Sequence, residues 1–147
     1  LSYLENLCFA LAEKVPFFWQ KSKFQKSVQK EYEAELGPVI NARNLYGLSK
    51  KELYTLVYYR YLISKPDVVV CVQPFSDLDM YLRGYVGELM GRLHRNGIAV
   101  LVLNTELYDT LYIANRLIQV ERGRVIREYK RTEFDEIKLM QTVIFPD

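Results

Sequence analysis

The residues of this chain that could do chemistry gather around the ends of its apolar runs. The run Val68-Val69-Val70-Cys71-Val72 is entered through Lys65-Pro66-Asp67 and left through Gln73-Pro74. Five apolar residues in a row, mostly β-branched and bounded by turn residues, predict a strand buried on both faces of a sheet. Open α/β sheets bind ligands at the carboxyl ends of their strands, so Val72, Gln73 and Pro74 are the positions to weigh first. Gln73 carries an amide, which can orient water but cannot accept its proton. Asp77 and Asp79 stand where a helical pattern opens. Acidic residues there cap free N–H groups and favour the helix dipole, whereas a metal would want more converging oxygens. Lys50 and Lys51 follow another helix start, where an anion could bind, although paired lysines are generally solvated surface. The single histidine, His94, falls on a long helical pattern away from these positions and is expected to face solvent. No Ser-His-Asp, Cys-His or metal-spaced cluster appears.

Elements that could position these residues follow from composition and periodicity. The chain has 147 residues, half of them hydrophobic, enough for one globular domain with a substantial core. A net charge of +2 makes no electrostatic case for nucleic acid or an anionic membrane. No apolar run approaches the roughly 18 residues that cross a bilayer, and no signal-peptide pattern opens the chain. Cys8 and Cys71 lie far apart, with Cys71 inside the apolar run as a small core residue, a pattern that fits a reduced, cytoplasmic setting. The chain starts at Leu1 inside an apolar-periodic segment, which suggests a piece of a longer protein or a chain whose start is not shown.

Residues 2–14 carry helical spacing, with Ser2 and Glu5 forming a capping box. Val15-Pro16-Phe17-Phe18-Trp19 reads as an apolar linker. From Lys21 to Leu36 a polar helix bears the stripe Phe24, Val28, Tyr32, Leu36, and Gly37-Pro38 stops it. Asn44 to Leu48 is a loop, after which Ser49 and Glu52 form a second capping box for a helix from Lys50 to Ile63. Its tyrosines at 54, 58, 59 and 61 fit core packing better than a stacking platform. The apolar strand follows, then a helix from about Asp77 to Arg95, then a second apolar strand from Ile98 to Leu103. Strand, helix and strand form a parallel βαβ unit with right-handed crossover. A short helix spans Glu106 to Ala114. Leu117–Val120 and Arg124–Tyr129 flank the turn Glu121-Arg122-Gly123 as a hairpin. Thr132 is placed to cap a last helix near Glu133, and the tail ends in Val143-Ile144-Phe145.

This order of motifs resembles the second half of an ATP-binding cassette (ABC) domain, in particular the second cassette of bacterial sugar-importer ATPases. Gly47 followed by Leu48, Ser49, Lys50, Lys51 and Glu52 stands where that family has its LSGGQ-type signature. Val72 and Gln73 stand at the Asp-Glu of the Walker B motif. Ser76, Asp77, Leu78 and Asp79 match the D-loop, and Thr105 stands in the switch loop where most relatives carry histidine. Ala114 to Leu117 and Val120 to Val125 resemble the closing hairpin of the family. The resemblance implies an α/β, P-loop NTPase-like partial domain: a helical N-terminal part, a parallel βαβ unit and a C-terminal β-hairpin. It divides the chain into a helical-subdomain portion, 1–47, and the signature helix with the C-terminal α/β portion, 48–147.

Phosphoryl transfer needs a phosphate cradle, a magnesium-binding carboxylate and a group that orients water. No G-x-x-x-x-G-K-[ST] occurs, Val72 cannot assist a magnesium ion, and lysines 50 and 51 replace glycines that let backbone approach phosphate. The expectation is a degenerate, non-hydrolysing domain with no catalytic residue, metal or cofactor of its own, working by association. ATP and magnesium would enter only if a missing half supplied the site. Implied partners are another cassette, a permease that brings the chain to a membrane without spanning it, or its own N-terminal half. Two rivals stand beside this: half of an active ATPase whose Walker A part lies outside the chain, and a regulatory or scaffold domain docking through its tyrosine-rich helix.

Overall fold

The computed structural model of the chain describes residues 1–11 and 18–137. Helix α1, Tyr3–Cys8, starts at the anticipated capping box, with Ser2 Oγ accepting from Glu5 N and Ser2 N donating to Glu5 Oε2 at 2.6 Å. It tightens into a 3₁₀ turn at Phe9–Leu11; residues 12–14, where the expected helix ends, and residues 15–17 of the linker lie outside the described residues. Helix α2, Phe18–Leu36, takes in Phe18 and Trp19, which the linker reading left out. Two aromatic residues with ordinary helix propensity continue a helix readily once its next turns are packed. Gly37, at φ 64°, stops α2 in the left-handed conformation that glycine adopts without strain, and a 3₁₀ turn follows at Gly37–Asn41.

Helix α3, Lys50–Ser64, leads through left-handed Lys65 into strand β1, Val68–Val72. Helix α4, Met80–Arg95, and strand β2, Ala99–Leu103, complete the βαβ unit; β1 and β2 are parallel, in register from Val68↔Ala99 to Val72↔Leu103. α4 begins three residues later than expected. Asp77 sits at φ 58°, outside helical space, and Asp79 is the cap, its carboxylate accepting from Leu82 N at 2.8 Å. Helix α5 is Leu107–Ile113, and strands β3, Arg116–Glu121, and β4, Arg124–Lys130, pair antiparallel around Arg122-Gly123 with a register irregularity at Gln119/Val120. A 3₁₀ turn, Arg131–Glu133, starts from Lys130, whose N–H donates to Glu133, and leads into helical residues 134–137 close to the expected start near Glu133; Thr132 lies inside the 3₁₀ turn instead of capping the helix. The Val143–Phe145 tail is outside the described residues.

One apolar cluster joins the helical part to the βαβ unit. Tyr3 and Leu7 of α1, Val28 of α2, and Leu56, Tyr58, Tyr59 and Leu62 of α3 pack with Val69, Val86, Leu89, Leu93 and Ile98. A smaller cluster, Leu111, Phe134 and Ile137, seats the hairpin end. Burial of Tyr58 and Tyr59, with Tyr54 and Tyr61 half-buried, removes the exposed tyrosine face that a docking role for α3 requires. His94 faces solvent as expected.

The strands depart from expectation. Among the described residues only one face of the sheet is covered: Val69 is buried against the helices, while Val68, Val70 and Val72 of β1 and Leu101 and Leu103 of β2 are exposed. Both faces are apolar, so a continuous hydrophobic run cannot report which of them has a covering layer.

Arg92 fastens α2 to α4. Its guanidinium donates to both Glu35 oxygens, at 2.7 Å from Nη2, and to Tyr59 Oη at 2.7 Å, while stacking over the Tyr59 ring. That hydrogen bond holds the Glu35 carboxyl below its ordinary range. Arg92→Ala is expected to cost about 1–2 kcal/mol, since the pair is forked but part-exposed. A urea midpoint unchanged from wild type would show that α2 is held without it.

Candidate functional site

At the start of α3 the backbone N–H groups point outward with the positive end of the helix dipole, a geometry suited to an anion. The chain supplies that anion itself. Glu52 Oε2 accepts from Ser49 N and from Ser49 Oγ, both at 2.7 Å, while Ser49 Oγ accepts from Glu52 N at 3.2 Å. The Ser49 hydroxyl, and after it the Ser49 amide, holds the Glu52 carboxyl below its ordinary range. Lys50 is exposed. Lys51 is more than the solvated lysine expected: its ammonium donates to Tyr81 Oη at 3.1 Å and lies 4.7 Å from the Tyr85 ring centre. The Tyr81 hydrogen bond raises its pKa. Tyr85 Oη in turn meets Thr55 Oγ1 at 2.7 Å, so the second turn of α3 is tied to the first turns of α4. A lysine thus fills, with a side chain held on aromatic rings, a position where glycine would leave open backbone.

The strand ends come together at a second place. Gln73 N donates to Leu103 O at 2.8 Å, which carries the ladder one residue beyond β1. Gln73 itself stands at φ 47°, a left-handed backbone that costs a non-glycine residue energy and turns its side chain across the strand ends. The Gln73 amide donates to Thr105 Oγ1 at 3.2 Å. These two residues, 32 apart in sequence, are the ones that the resemblance sets at the Walker B and switch positions. Val72 is exposed beside them on the bare face of the sheet. Phe75 and Leu78 are buried and anchor the following loop, leaving Ser76, Asp77 and Asp79 at the surface.

The grouping is therefore partial. Gln73 and Thr105 meet, Lys51 reaches Tyr81 and Tyr85 of α4, Ser49 and Glu52 stay within their own cap, and Leu48 packs against the main apolar cluster. Among the described residues no group of three or more His, Cys, Asp or Glu could hold a metal ion. Asp79 spends its carboxylate on the α4 cap.

Arg83 escaped the sequence reading. Its Nε donates to Leu78 O at 2.9 Å, and its Nη1 donates to Asp109 at 2.6 Å and Glu106 at 3.2 Å. It thereby ties the 76–79 loop to the segment after Thr105, helped by Asn104, which donates to Glu106 O and Thr110 Oγ1. Partners 23 and 26 residues away leave no local pattern by which Arg83 could have been picked out.

No family model matches the chain. A ribose import ATP-binding protein of Rhodococcus jostii is 28% identical over 85 residues, which are 58% of this chain and 17% of that protein. A ribose import ATP-binding protein of Caldanaerobacter subterraneus is 24% identical over 98 residues, 67% of this chain and 20% of its own length. The chain thus spans about a fifth or less of the curated relatives it matches. Among solved structures, the ADP conformation of an ATP-binding cassette of an ABC transporter superposes with a TM-score of 0.69 at 20% identity, covering 98% of this chain and 63% of that one. A dimeric bacterial ABC transporter cassette superposes at 0.64 with 22% identity, covering 89% and 57%. In fold the chain is similar to part of an ATP-binding cassette, and in sequence it is similar to the ATP-binding proteins of bacterial sugar importers.

Proposed function

We propose that this chain is a non-hydrolysing cassette-type domain that acts by protein association in a sugar-type ABC transport system at the cytoplasmic face of a membrane. No helix among the described residues is long and apolar enough to cross a membrane, so contact with the bilayer would come through a permease. The observation that carries the reading is the Gln73–Thr105 pair. An amide and a hydroxyl close the strand ends where hydrolysis needs a magnesium-binding carboxylate, a group that orients water and an acceptor for its proton. Val72 beside them offers no oxygen, and the α3 N-terminus already has Glu52 as its anion. The scaffold that holds these positions is retained, with the strands, caps and loop anchors all in place, and a scaffold without its chemistry is suited to binding.

Titration of the chain with magnesium-ATP by calorimetry tests this. The expected result is no heat of binding up to about 1 mM nucleotide, where even weak sites register. Saturable, magnesium-dependent heat, or phosphate release above the buffer rate, would overturn the reading.

A further inference from the structure

Helix α2 carries its charge against its own dipole. Its lysines, Lys21, Lys23, Lys26 and Lys30, all precede its glutamates, Glu31, Glu33 and Glu35. No acidic residue stands in its first turn and no basic one in its last. The amino end of a helix favours anions and the carboxyl end favours cations, so this order opposes stability. Lys23 and Lys26 are three residues apart and Lys26 and Lys30 four, spacings at which like charges repel across a helix surface. At about 3.6 residues per turn, Lys23, Lys26 and Lys30 fall within an arc of about 60°. That arc lies opposite the Phe24, Val28 and Tyr32 stripe that packs into the main apolar cluster. All three lysines are exposed, and the ion pairs among the described residues involve none of them. The net charge of +2 for the whole chain conceals this local concentration.

We propose that the Lys23, Lys26 and Lys30 face of α2 is a contact surface for an anionic lipid bilayer. Backbone positions 23 to 30 span about 10 Å along the helix, a straight row that a flat surface can meet along its length. Between the lysines the face offers exposed Ser27 and no apolar side chain to serve as an anchor. Protein interfaces centre on buried aromatic and arginine residues and are depleted of lysine. Beside an anionic leaflet, by contrast, each lysine strengthens binding by about fivefold through attraction to the surface charge. That contrast selects lipid over a protein partner. The association reading above supplies the membrane setting: a permease would bring the chain to the bilayer, and this face would then meet the headgroups.

Flotation of the chain with lipid vesicles tests this. The chain should bind phosphatidylcholine vesicles that contain roughly a third phosphatidylglycerol, and should not bind pure phosphatidylcholine. Raising salt from about 0.05 M to about 0.5 M should release it, because screening shortens the reach of surface charge. Joint Lys23→Gln, Lys26→Gln and Lys30→Gln should weaken binding by about a hundredfold. The urea midpoint of that variant should be no lower than wild type, since it loses no ion pair and relieves like-charge repulsion. Arginine at the same three positions should keep the binding. Removing equal charge elsewhere, with Lys65→Gln, Arg122→Gln and Arg124→Gln, should change it by less than about threefold. No binding to anionic vesicles at low salt, equal binding to neutral ones, or equal loss from both glutamine variants would overturn the proposal. So would tighter binding to duplex DNA at the same salt that the α2 variant abolishes, since nucleic acid would then be the partner. Heat on titration with magnesium-ATP would defeat the non-hydrolysing reading and leave the lipid contact standing.

Discussion

Val69→Asp is expected to unfold the chain, whereas Val70→Asp, one residue later, is expected to leave it folded. Val69 is 4% exposed and packed in the main apolar cluster, while Val70 is 54% exposed on the bare face. An aspartate at 69 would bury a carboxylate with no partner, costing several kcal/mol either as desolvation or as the cost of holding it protonated. Loss of the valine contacts adds to that. Single domains hold only about 5–15 kcal/mol in total, so the sum reaches the scale of the whole stability. An aspartate at 70 stays in water and loses mainly strand preference, about 1 kcal/mol. Urea titrations followed by circular dichroism give the comparison directly. Equal loss at both positions would mean that both faces are covered in solution and would refute the one-sided sheet.

Tyr3→Ala is expected to cost about 3–5 kcal/mol, the range for removing a buried aromatic side chain. Tyr3 is 0% exposed, its backbone N–H donates to Ala42 O at 2.9 Å, and its hydroxyl donates to Glu52 O at 3.3 Å. It therefore plugs the helical N-terminal part onto α3. Tyr3→Phe keeps the ring and loses one hydrogen bond, about 1 kcal/mol. Burial, and after it the nearby Tyr85 and Glu52, raises the Tyr3 pKa above its ordinary 10.0. A raised pKa gives a contribution that is complete below the ordinary value and is lost as pH rises through the folded one. Burial of Cys8, pushed from 9.0 to about 11, adds to this alkaline decline, and Tyr3→Phe should shallow it without removing it. If Tyr3→Ala instead melted residues 1–11 alone and left the βαβ unit at wild-type stability, the joint core would be disproved.

The local code of this chain was legible in its sequence. Ser2 with Glu5 and Ser49 with Glu52 predicted two helix starts, because a capping box needs only residues three apart. Gly37 and Arg122-Gly123 marked their turns through left-handed backbone. The order of strand, helix and strand settled the parallel pairing, since right-handed crossover leaves little alternative. Likeness to a cassette was carried by that order together with the sites around it.

Tertiary structure decided what depends on neighbours distant in the chain. The apolar run 68–72 could not report that one of its faces is bare, because valine and leucine suit either side of a buried sheet. The start of α4 moved to Met80 because Asp77 is turned out by the loop that Phe75 and Leu78 anchor. Lys51 proved to be held by Tyr81 and Tyr85, Gln73 by Thr105, and Arg83 by Asp109 and Glu106, each across 23 or more residues. Residue types at those positions showed which groups the chain has, but only the fold could bring them within hydrogen-bonding distance, where geometry determines which of them interact.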